Sequence, residues 1–306
     1  MTAFLLGRFA RALITLWAVL TLVFVLIHAT GDPIAVLAPQ QMNAAERAAL
    51  AASLGLNQPL LVQYFRFFLG VLHGNLGISY YSDVPALPLL LGRVPVTLEL
   101  VALAILIAVV IGVPFGIAAA LSPESLADRA LRGLSVLGAS VPTFFLGIVL
   151  IFFFSVKTNL LPASGAGGIR HSIMPAFTLA FLRIAFFTRL VRSALLEQLG
   201  QPYVRTARAK GLSEAVVVLK HALRPASLPL VTVFGLQFGQ LFAGTVITET
   251  IFALPGMNRM ALEALFRLDY PIILSYVLVA ASMFVALNFA TDLLYGLLDP
   301  RVRHAR

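Results

Sequence analysis

Few residues of this chain have the types and spacing that catalysis or metal binding requires. The chain has no cysteine, three lysines and five histidines, and no two histidines form a His-x3-His pair on a helix. The lack of cysteine excludes disulfides, thiolate catalysis and cysteine metal sites, and the histidine spacing argues against a fixed metal site. No lysine lies in a Gly-Lys-Ser/Thr loop, so the chain cannot be its own P-loop ATPase. We therefore predict no cofactor and no metal in this chain.

Hydrolysis by a serine nucleophile also has little support. The Gly-x-Ser-x-Gly elbow of the serine hydrolases is absent. A protease inside a membrane would need two polar catalytic groups that face each other, and Ser140 with a distant histidine is the one such pairing that stays open. The sequence predicts a protein that is not an enzyme.

Polar residues inside apolar segments are the remaining candidates for a site. A charge inside a bilayer costs several kcal/mol and normally faces a partner or water. Arg183 lies near the middle of an apolar segment, where it holds an anionic group of a solute or pairs with a carboxylate or with helix carbonyls. Glu99 and Glu249 fall near one membrane boundary and Asp292 near the other, where interfacial water explains all three. The candidate pathway residues are Arg183, Gln237, Gln240 and Glu249.

The composition is that of an integral membrane protein. The chain is 60% hydrophobic and 11% charged, whereas soluble domains carry about 25% charged residues. Six segments approach the roughly 20 apolar residues that a membrane helix needs. These segments lie near 9–29, 99–121, 133–156, 173–193, 227–249 and 273–296. The first resembles a signal peptide, but Ile27 is a poor match for a cleavage site after Ala29, so we expect a retained helix.

The distribution of basic residues predicts the orientation. With six spans, 14 of the 22 Lys and Arg residues fall on the side of the termini, 7 on the other side, and Arg183 within a span. Basic residues are retained on the cytoplasmic side, which explains the excess over 13 acidic residues without invoking nucleic acid. We expect both termini to be cytoplasmic. Residues 31–95 then lie outside, where Asn43 and Glu46 form a variant capping box that opens a helix closed by Gly55.

The most basic cytoplasmic stretch, residues 203–229, is called here the basic elbow. It carries five basic residues against one carboxylate, Glu214. Gly211 divides it into two short helical runs, and Ser213 is a plausible N-cap of the second. Val216, Leu219 and Leu223 follow helical spacing and predict one apolar stripe. Such an elbow suits a groove on a soluble partner, although a charged loop that fixes topology and touches anionic lipid is the alternative.

The motif YVRTARAKGLSE followed by HALR resembles the cytoplasmic EAA loop of ABC importer permeases, in the form of the dipeptide, oligopeptide and nickel branch. Arg205 stands where the general pattern has glutamate, and Pro225 replaces the usual asparagine. GLNQPLLVQY at 55–64, ETIFALPGMNRM at 249–260 and DLLYGLLDPRVR at 292–303 extend the resemblance over nearly the whole chain. The resemblance implies an ATPase-coupling loop whose residues are Tyr203, Arg205, Ala207, Lys210, Gly211, Leu212, His221, Leu223 and Arg224.

The resemblance also implies a fold and a domain division. It implies an all-α membrane protein with the six transmembrane helices of a type I ABC importer permease and a small helical periplasmic insertion between helices 1 and 2. The expected divisions are an N-terminal span at 1–30, a periplasmic segment at 31–95, a transmembrane domain at 96–298 with its coupling loop at 200–229, and a cytoplasmic tail at 299–306.

The same resemblance implies a permease subunit of the bacterial inner membrane in a binding-protein-dependent importer. Its expected partners are a second permease, two P-loop ATPases that hold ATP and magnesium, and an extracytoplasmic binding protein. Di- and oligopeptides are the expected cargo, and nickel chelates, glutathione and opines are alternatives. A secondary transporter that needs no ATPase is a competing class, but neither inverted repeats nor a mid-span carboxylate supports it.

Overall fold

The computed structural model describes residues 2–38 and 42–298, and these residues are mostly helical. Within them the only β-pairing is an isolated bridge between Ile78 and Pro85. The expected all-α fold is therefore confirmed, whereas the predicted tail at 299–306 lies outside the described residues. The chain divides into two compact units, Met1–Val96 with Pro255–Ala286 and Thr97–Leu254 with Leu287–Arg306.

The first unit contains two long apolar helices, α1 (Thr2–Thr30) and most of α14 (Tyr270–Leu298), and several short helices. The short helices are α2 (Pro33–Leu37), α3 (Ala44–Ser53), α4 (Leu60–Leu72), α5 (Ala86–Leu91) and α13 (Met257–Phe266). The predicted capping box is present, because the Glu46 amide donates to Asn43 Oδ1 and the Asn43 amide donates to Glu46 Oε2, both at 2.9 Å. Gly55 closes that helix at φ +71°, as the sequence indicated.

The second unit contains the long helices around the basic elbow. They are α6 (Val94–Leu121), which begins in the first unit, α7 (Leu126–Ser140), α8 (Thr143–Leu150), α9 (Ile169–Leu199), α10 (Pro202–Ala209), α11 (Glu214–Val216) and α12 (Leu223–Ile251). Two π-helical segments interrupt the series at Ile151–Lys157 and Val217–Ala222.

Helices α6 and α9 approach closely through glycines of α6. A Cβ added at Gly116 would lie 2.6 Å from Val191 Cβ, and one added at Gly112 would lie 3.0 Å from the Ile184 carbonyl oxygen. Small residues four apart let membrane helices meet at backbone distance.

The third predicted span, 133–156, is not one continuous helix. Helix α7 ends at Ser140, α8 begins at Thr143, and the two arms are bent by 100°. The reason is Pro142, which disfavours helical backbone at the residue before it. Val141 accordingly adopts extended angles, φ −81° and ψ 120°.

Four helices of the described residues are long and apolar enough to cross a membrane, or five if the bent pair forms one span. The four are Ala10–Ala29, Ala86–Leu121, Ile169–Leu199 and Tyr270–Phe289. The remaining predicted segment, 227–249, is helical within α12. The count of six spans therefore stays a prediction.

Candidate functional site

The turn of the basic elbow is built around Gly211. Helix α10 ends at Ala209, and Gly211 follows at φ +75°. An L residue in this left-handed region brings its Cβ too close to backbone oxygen, and glycine avoids that cost. A Cβ added at Gly211 would meet nothing within 4 Å, so its backbone angle alone requires glycine. The sequence predicted this turn, and the structure confirms it.

An ion pair closes the turn from both sides of Gly211. Arg208 Nε donates to Glu214 Oε2 at 3.1 Å, and Arg208 Nη2 donates to Glu214 Oε1 at 2.6 Å. This two-pronged geometry is the strongest form of an arginine–carboxylate contact. The hydrogen bond from Arg208 lowers the pKa of Glu214, and the same bond raises the pKa of Arg208. Sequence reasoning missed the pair because the two residues belong to different helical runs.

A small buried core attaches the elbow to the ends of two long helices. Val204 and Ala207 of α10 pack with the elbow's second run against Ala120 of α6 and Leu195 of α9. Tyr203 adds a hydrogen bond from its hydroxyl to Gln198 Oε1 at 2.6 Å. The elbow is therefore packed against the ends of α6 and α9.

The predicted apolar stripe of the second run divides between two exposed side chains, Val216 and Leu219, and the half-buried Leu223. Val216 is 39% exposed and Leu219 is 59% exposed, whereas Val217, Val218 and Ala222 are buried. The cause is the π-helical segment Val217–Ala222, whose i→i+5 bonding rotates the side chains away from the 3.6-residue period. Ser213 occupies the N-cap position, but its side chain makes no capping hydrogen bond.

The elbow presents a mixed apolar and basic surface. Of the expected coupling residues, Ala207 is buried in the core, His221 and Leu223 are half-buried, and the others are exposed. The exposed apolar side chains are Tyr203, Leu212, Val216 and Leu219. The exposed basic ones are Arg205, Arg208, Lys210, Lys220 and Arg224. Pro225 is the third residue of α12, which follows directly on the π-helical segment, and the helix continues through it.

The candidate pathway residues fall into two groups. Arg183 of α9 donates through Nη1 to the side-chain oxygens of Gln237 and Gln240 on α12, the second at 3.3 Å. The structure therefore brings three of the four together around one half-buried guanidinium. The partners are amide oxygens, not the carboxylates or helix carbonyls considered from the sequence.

Glu249 lies apart from that group and is fully buried. Thr97 Oγ1 donates to Glu249 Oε1 at 2.7 Å, and Thr245 Oγ1 donates to the same oxygen at 3.0 Å. The prediction that interfacial water solvates Glu249 is wrong, since its side chain is 0% exposed. Its hydroxyl partners replace water in satisfying the carboxyl group.

Sequence reasoning also missed a buried ion pair near the elbow. Arg192 of α9 donates from Nε to Asp128 Oδ1 at 2.6 Å and from Nη2 to Asp128 Oδ2 at 2.8 Å. Asp128 also lies at the start of α7, where its amide donates to Ser125 Oγ at 3.1 Å. Nothing in the sequence linked Asp128 to a residue 64 positions away. Among the described residues no group of three His, Asp or Glu could hold a metal ion.

Comparison with known protein families finds two matches, which together cover most of the chain. The profile described as "Binding-protein-dependent transport system inner membrane component" matches residues 112–304, and its N-terminal companion matches residues 1–101. The chain belongs to this family. It is a multi-pass protein of the inner membrane and the permease subunit of an ABC importer, and such permeases carry no catalytic activity of their own.

Curated relatives cover the permease from end to end. The dipeptide transport system permease protein DppB of Escherichia coli K12 is 39% identical over all of both chains. The glutathione transport system permease protein GsiC of Salmonella paratyphi A is 38% identical over 99% of this chain and all of its own. The oligopeptide transport system permease protein AppB of Bacillus subtilis is 34% identical over 99% of this chain and all of its own.

Solved structures share the fold of the permease. A chain of the MetNI methionine ABC transporter in an inward-facing conformation superposes with a TM-score of 0.58 at 20% identity, over 69% of this chain and 96% of that one. An amino acid ABC transporter gives a TM-score of 0.52 at 17% identity, over 70% and 94%.

The Arg208–Glu214 pair predicts how the elbow responds to pH. Because the pKa of Glu214 is lowered, the ion pair contributes its full stabilisation at any pH above the ordinary pKa of a glutamate. This stabilisation is lost only as the pH falls through the lowered pKa of Glu214. The Gly211 amide donates to the Arg208 carbonyl at 2.9 Å, so its hydrogen exchange reports the turn. We expect unchanged protection from about pH 5.5 to about pH 8.

The matched variants are Glu214→Gln, which removes the pair, and Glu197→Gln, which removes an exposed carboxylate of α9. Glu214→Gln should lower the protection of the Gly211 amide several-fold, measured by mass spectrometry after correction for intrinsic exchange, and Glu197→Gln should not. Equal protection in the two variants would show that the pair does not hold the turn.

Proposed function

We propose that this permease imports di- and oligopeptides and that the basic elbow is the part through which ATPase subunits drive it. The observation that carries the proposal is the elbow itself. It has a glycine turn clamped by Arg208 and Glu214, a buried attachment to α6 and α9, and an exposed surface of apolar and basic side chains. A helix–turn–helix with such a surface fits a hydrophobic groove on a partner.

The proposed assembly has two permeases, two P-loop ATPases and an extracytoplasmic binding protein. The elbow and both termini lie in the cytoplasm and residues 31–95 lie outside, in line with the bias of basic residues. The proposed domain division is a span at 1–30, an outer segment at 31–95, a transmembrane domain at 96–298 and a tail at 299–306. ATP binding closes the ATPases, the elbows move with them, and the spans alternate between inward-open and outward-open.

The peptide cargo is supported by the relatives, which include dipeptide, peptide and oligopeptide permeases. Glutathione, the cargo named for another relative, is a tripeptide and belongs to the same chemical class. Uptake of labelled dipeptides and glutathione by a deletion strain, with and without this permease, tests the class directly.

The polar group around Arg183 is the proposed contact for the cargo inside the pathway. A peptide in water carries a carboxylate, and a guanidinium held by two neutral amides keeps its full charge available to attract one. An ion pair with a protein carboxylate would have neutralised it. Among the described residues no such pair with Arg183 occurs.

Gly211→Val tests the elbow. A non-glycine residue costs about 1–2 kcal/mol in the left-handed region, so valine should re-aim the two short helices without disturbing any span. We expect normal membrane levels, loss of ATP-driven uptake, and uncoupling or release of the ATPases. Gly200→Ala is the control, because Gly200 has φ −78° and a Cβ there meets no atom closer than 3.6 Å.

Arg205→Gln should do less than Gly211→Val, since one exposed charge is worth under about 1 kcal/mol. Full uptake by purified Gly211→Val complexes in liposomes would remove the elbow from the mechanism and leave it a signal for topology.

Arg183→Gln tests the pathway. The variant should lower uptake of peptides while leaving assembly with the ATPases intact, because it removes a charge and no packing contact of the elbow. Arg189→Gln, at an exposed position of the same helix, is the control and should transport normally. Failure of Arg183→Gln to assemble would instead assign Arg183 to a structural role.

A further inference from the structure

Helix α4 (Leu60–Leu72) is joined by side chains to α1, the first apolar helix. Trp17 Nε1 donates to the Tyr64 hydroxyl at 3.1 Å, and Thr21 shares a hydrogen bond with the same hydroxyl at 2.9 Å. Phe24 stacks on Phe67 with ring centroids 5.7 Å apart. These contacts place α4 beside a helix that has the length and composition to cross a membrane.

The pairing gives the direction of α4. His28, near the C-terminal end of α1, forms a hydrogen bond through Nε2 with Gln63 Oε1 at 3.1 Å. Phe67 of α4 stacks on Phe24, which lies one turn earlier on α1. As α4 proceeds from residue 63 to residue 67, its partners on α1 move from residue 28 to residue 24. Gln63 and Phe67 therefore contact α1 in antiparallel order, and the long Tyr64 side chain between them reaches further along α1, to Thr21 and Trp17. On this order α4 extends towards the middle of α1.

The depth follows from helix geometry. Trp17 lies twelve residues before Ala29, the end of the apolar run, which corresponds to about 18 Å along the axis. A hydrocarbon core is about 30 Å thick, so Trp17 lies near its middle. The Tyr64 hydroxyl bonds to Trp17. Part of α4 therefore lies at a level where α1 is inside the bilayer.

The two faces of α4 differ in a way that suits this position. The side chains that turn away from α1 are apolar and exposed, with Leu61 at 72% and Leu72 at 80%, and they recur at helical spacing. The full set on this face is Leu61, Phe65, Leu69 and Leu72. The one charged residue of α4, Arg66, lines a cavity of about 670 Å³ together with Gln63 and His28. Charges in membrane helices face an interior or a watery cavity in the same way.

The backbone amides of the turn after α4 and the His73 ring have hydrogen-bond partners. The Asn75 amide donates to the Gly70 carbonyl at 2.8 Å, the Gly74 amide to Val71 at 3.2 Å, and His73 Nδ1 bonds the Leu69 carbonyl at 2.7 Å. A Cβ at Gly70 would lie 2.2 Å from the Asn75 carbonyl oxygen, so the chain folds back tightly on the helix. Backbone at membrane depth requires such internal partners.

From these observations we infer that α4 is a half-membrane helix. It dips into the bilayer along α1 and turns back at His73–Asn75, and lipid acyl chains cover its exposed apolar face. The segment between the first two spans is then anchored in the hydrocarbon and does not stand wholly in water. The inference rests on the Trp17–Tyr64 contact and on the membrane crossing of α1, and it holds whether or not the basic elbow drives transport.

Spin labels on the assembled transporter in lipid nanodiscs test this inference. The chain has no cysteine of its own, so single cysteines can be placed in it when the partner subunits are also cysteine-free. Leu61→Cys, Phe65→Cys and Leu69→Cys probe the apolar face, and Arg66→Cys is the matched position on the cavity side. Collisions with oxygen report lipid, and collisions with a water-soluble nickel chelate report water.

We expect oxygen collisions to dominate at the three apolar positions and the ratio of oxygen to nickel collisions to rise from Leu61 to Leu69. At Arg66 nickel collisions should dominate. Dominant nickel collisions at Phe65 and Leu69 would place the face in water and overturn the inference. Low collisions with both reagents would show that a partner protein covers the face, which overturns it as well. Three labelled positions protect the test against the failure of one variant.

Discussion

The left-handed backbone at Gly211 is the constraint on which the elbow depends. A turn at φ +75° lets two short helices leave in different directions, and the Arg208–Glu214 pair bridges them across the turn. The buried side chains on either side of that turn then contact α6 and α9. The bridged turn is what makes the elbow suited to passing on a movement.

In the rest of the second unit, several polar side chains between the long helices also have hydrogen-bond partners. The polar side chains singled out among its long helices each have a partner: Arg183 with two glutamines, Glu249 with two hydroxyls, and Asp128 with Arg192. Buried polar groups without partners are costly in a low dielectric. The three groups differ in whether their partner carries an opposite charge. Asp128 is neutralised by an opposite charge, whereas Arg183 is not, which is why Arg183 is the one proposed to meet a solute.

Much of the fold could be predicted from the sequence, and the failures have physical reasons. The helices, the Asn43–Glu46 capping box and the Gly211 turn follow from apolar length, side-chain chemistry and glycine's freedom, all of which are local. The π-helical segment at Val217–Ala222 could not be foreseen, because it depends on packing against Ala120 and Leu195, which are distant in sequence. The Arg208–Glu214 and Arg192–Asp128 pairs were missed because charge spacing does not specify distant or cross-turn partners. Nothing in the sequence set the 100° size of the break before Pro142.

The central claim is that the exposed face of the elbow contacts an ATPase subunit. A photo-crosslinking amino acid at Leu219, which is exposed on the second run, measures this contact directly in the assembled transporter. The control is Ile169, an exposed residue at the opposite end of α9. We predict crosslinks from Leu219 to an ATPase subunit and none from Ile169 to that subunit. Absence of an ATPase crosslink at Leu219 in an active complex, or equal crosslinks at both positions, would contradict the account.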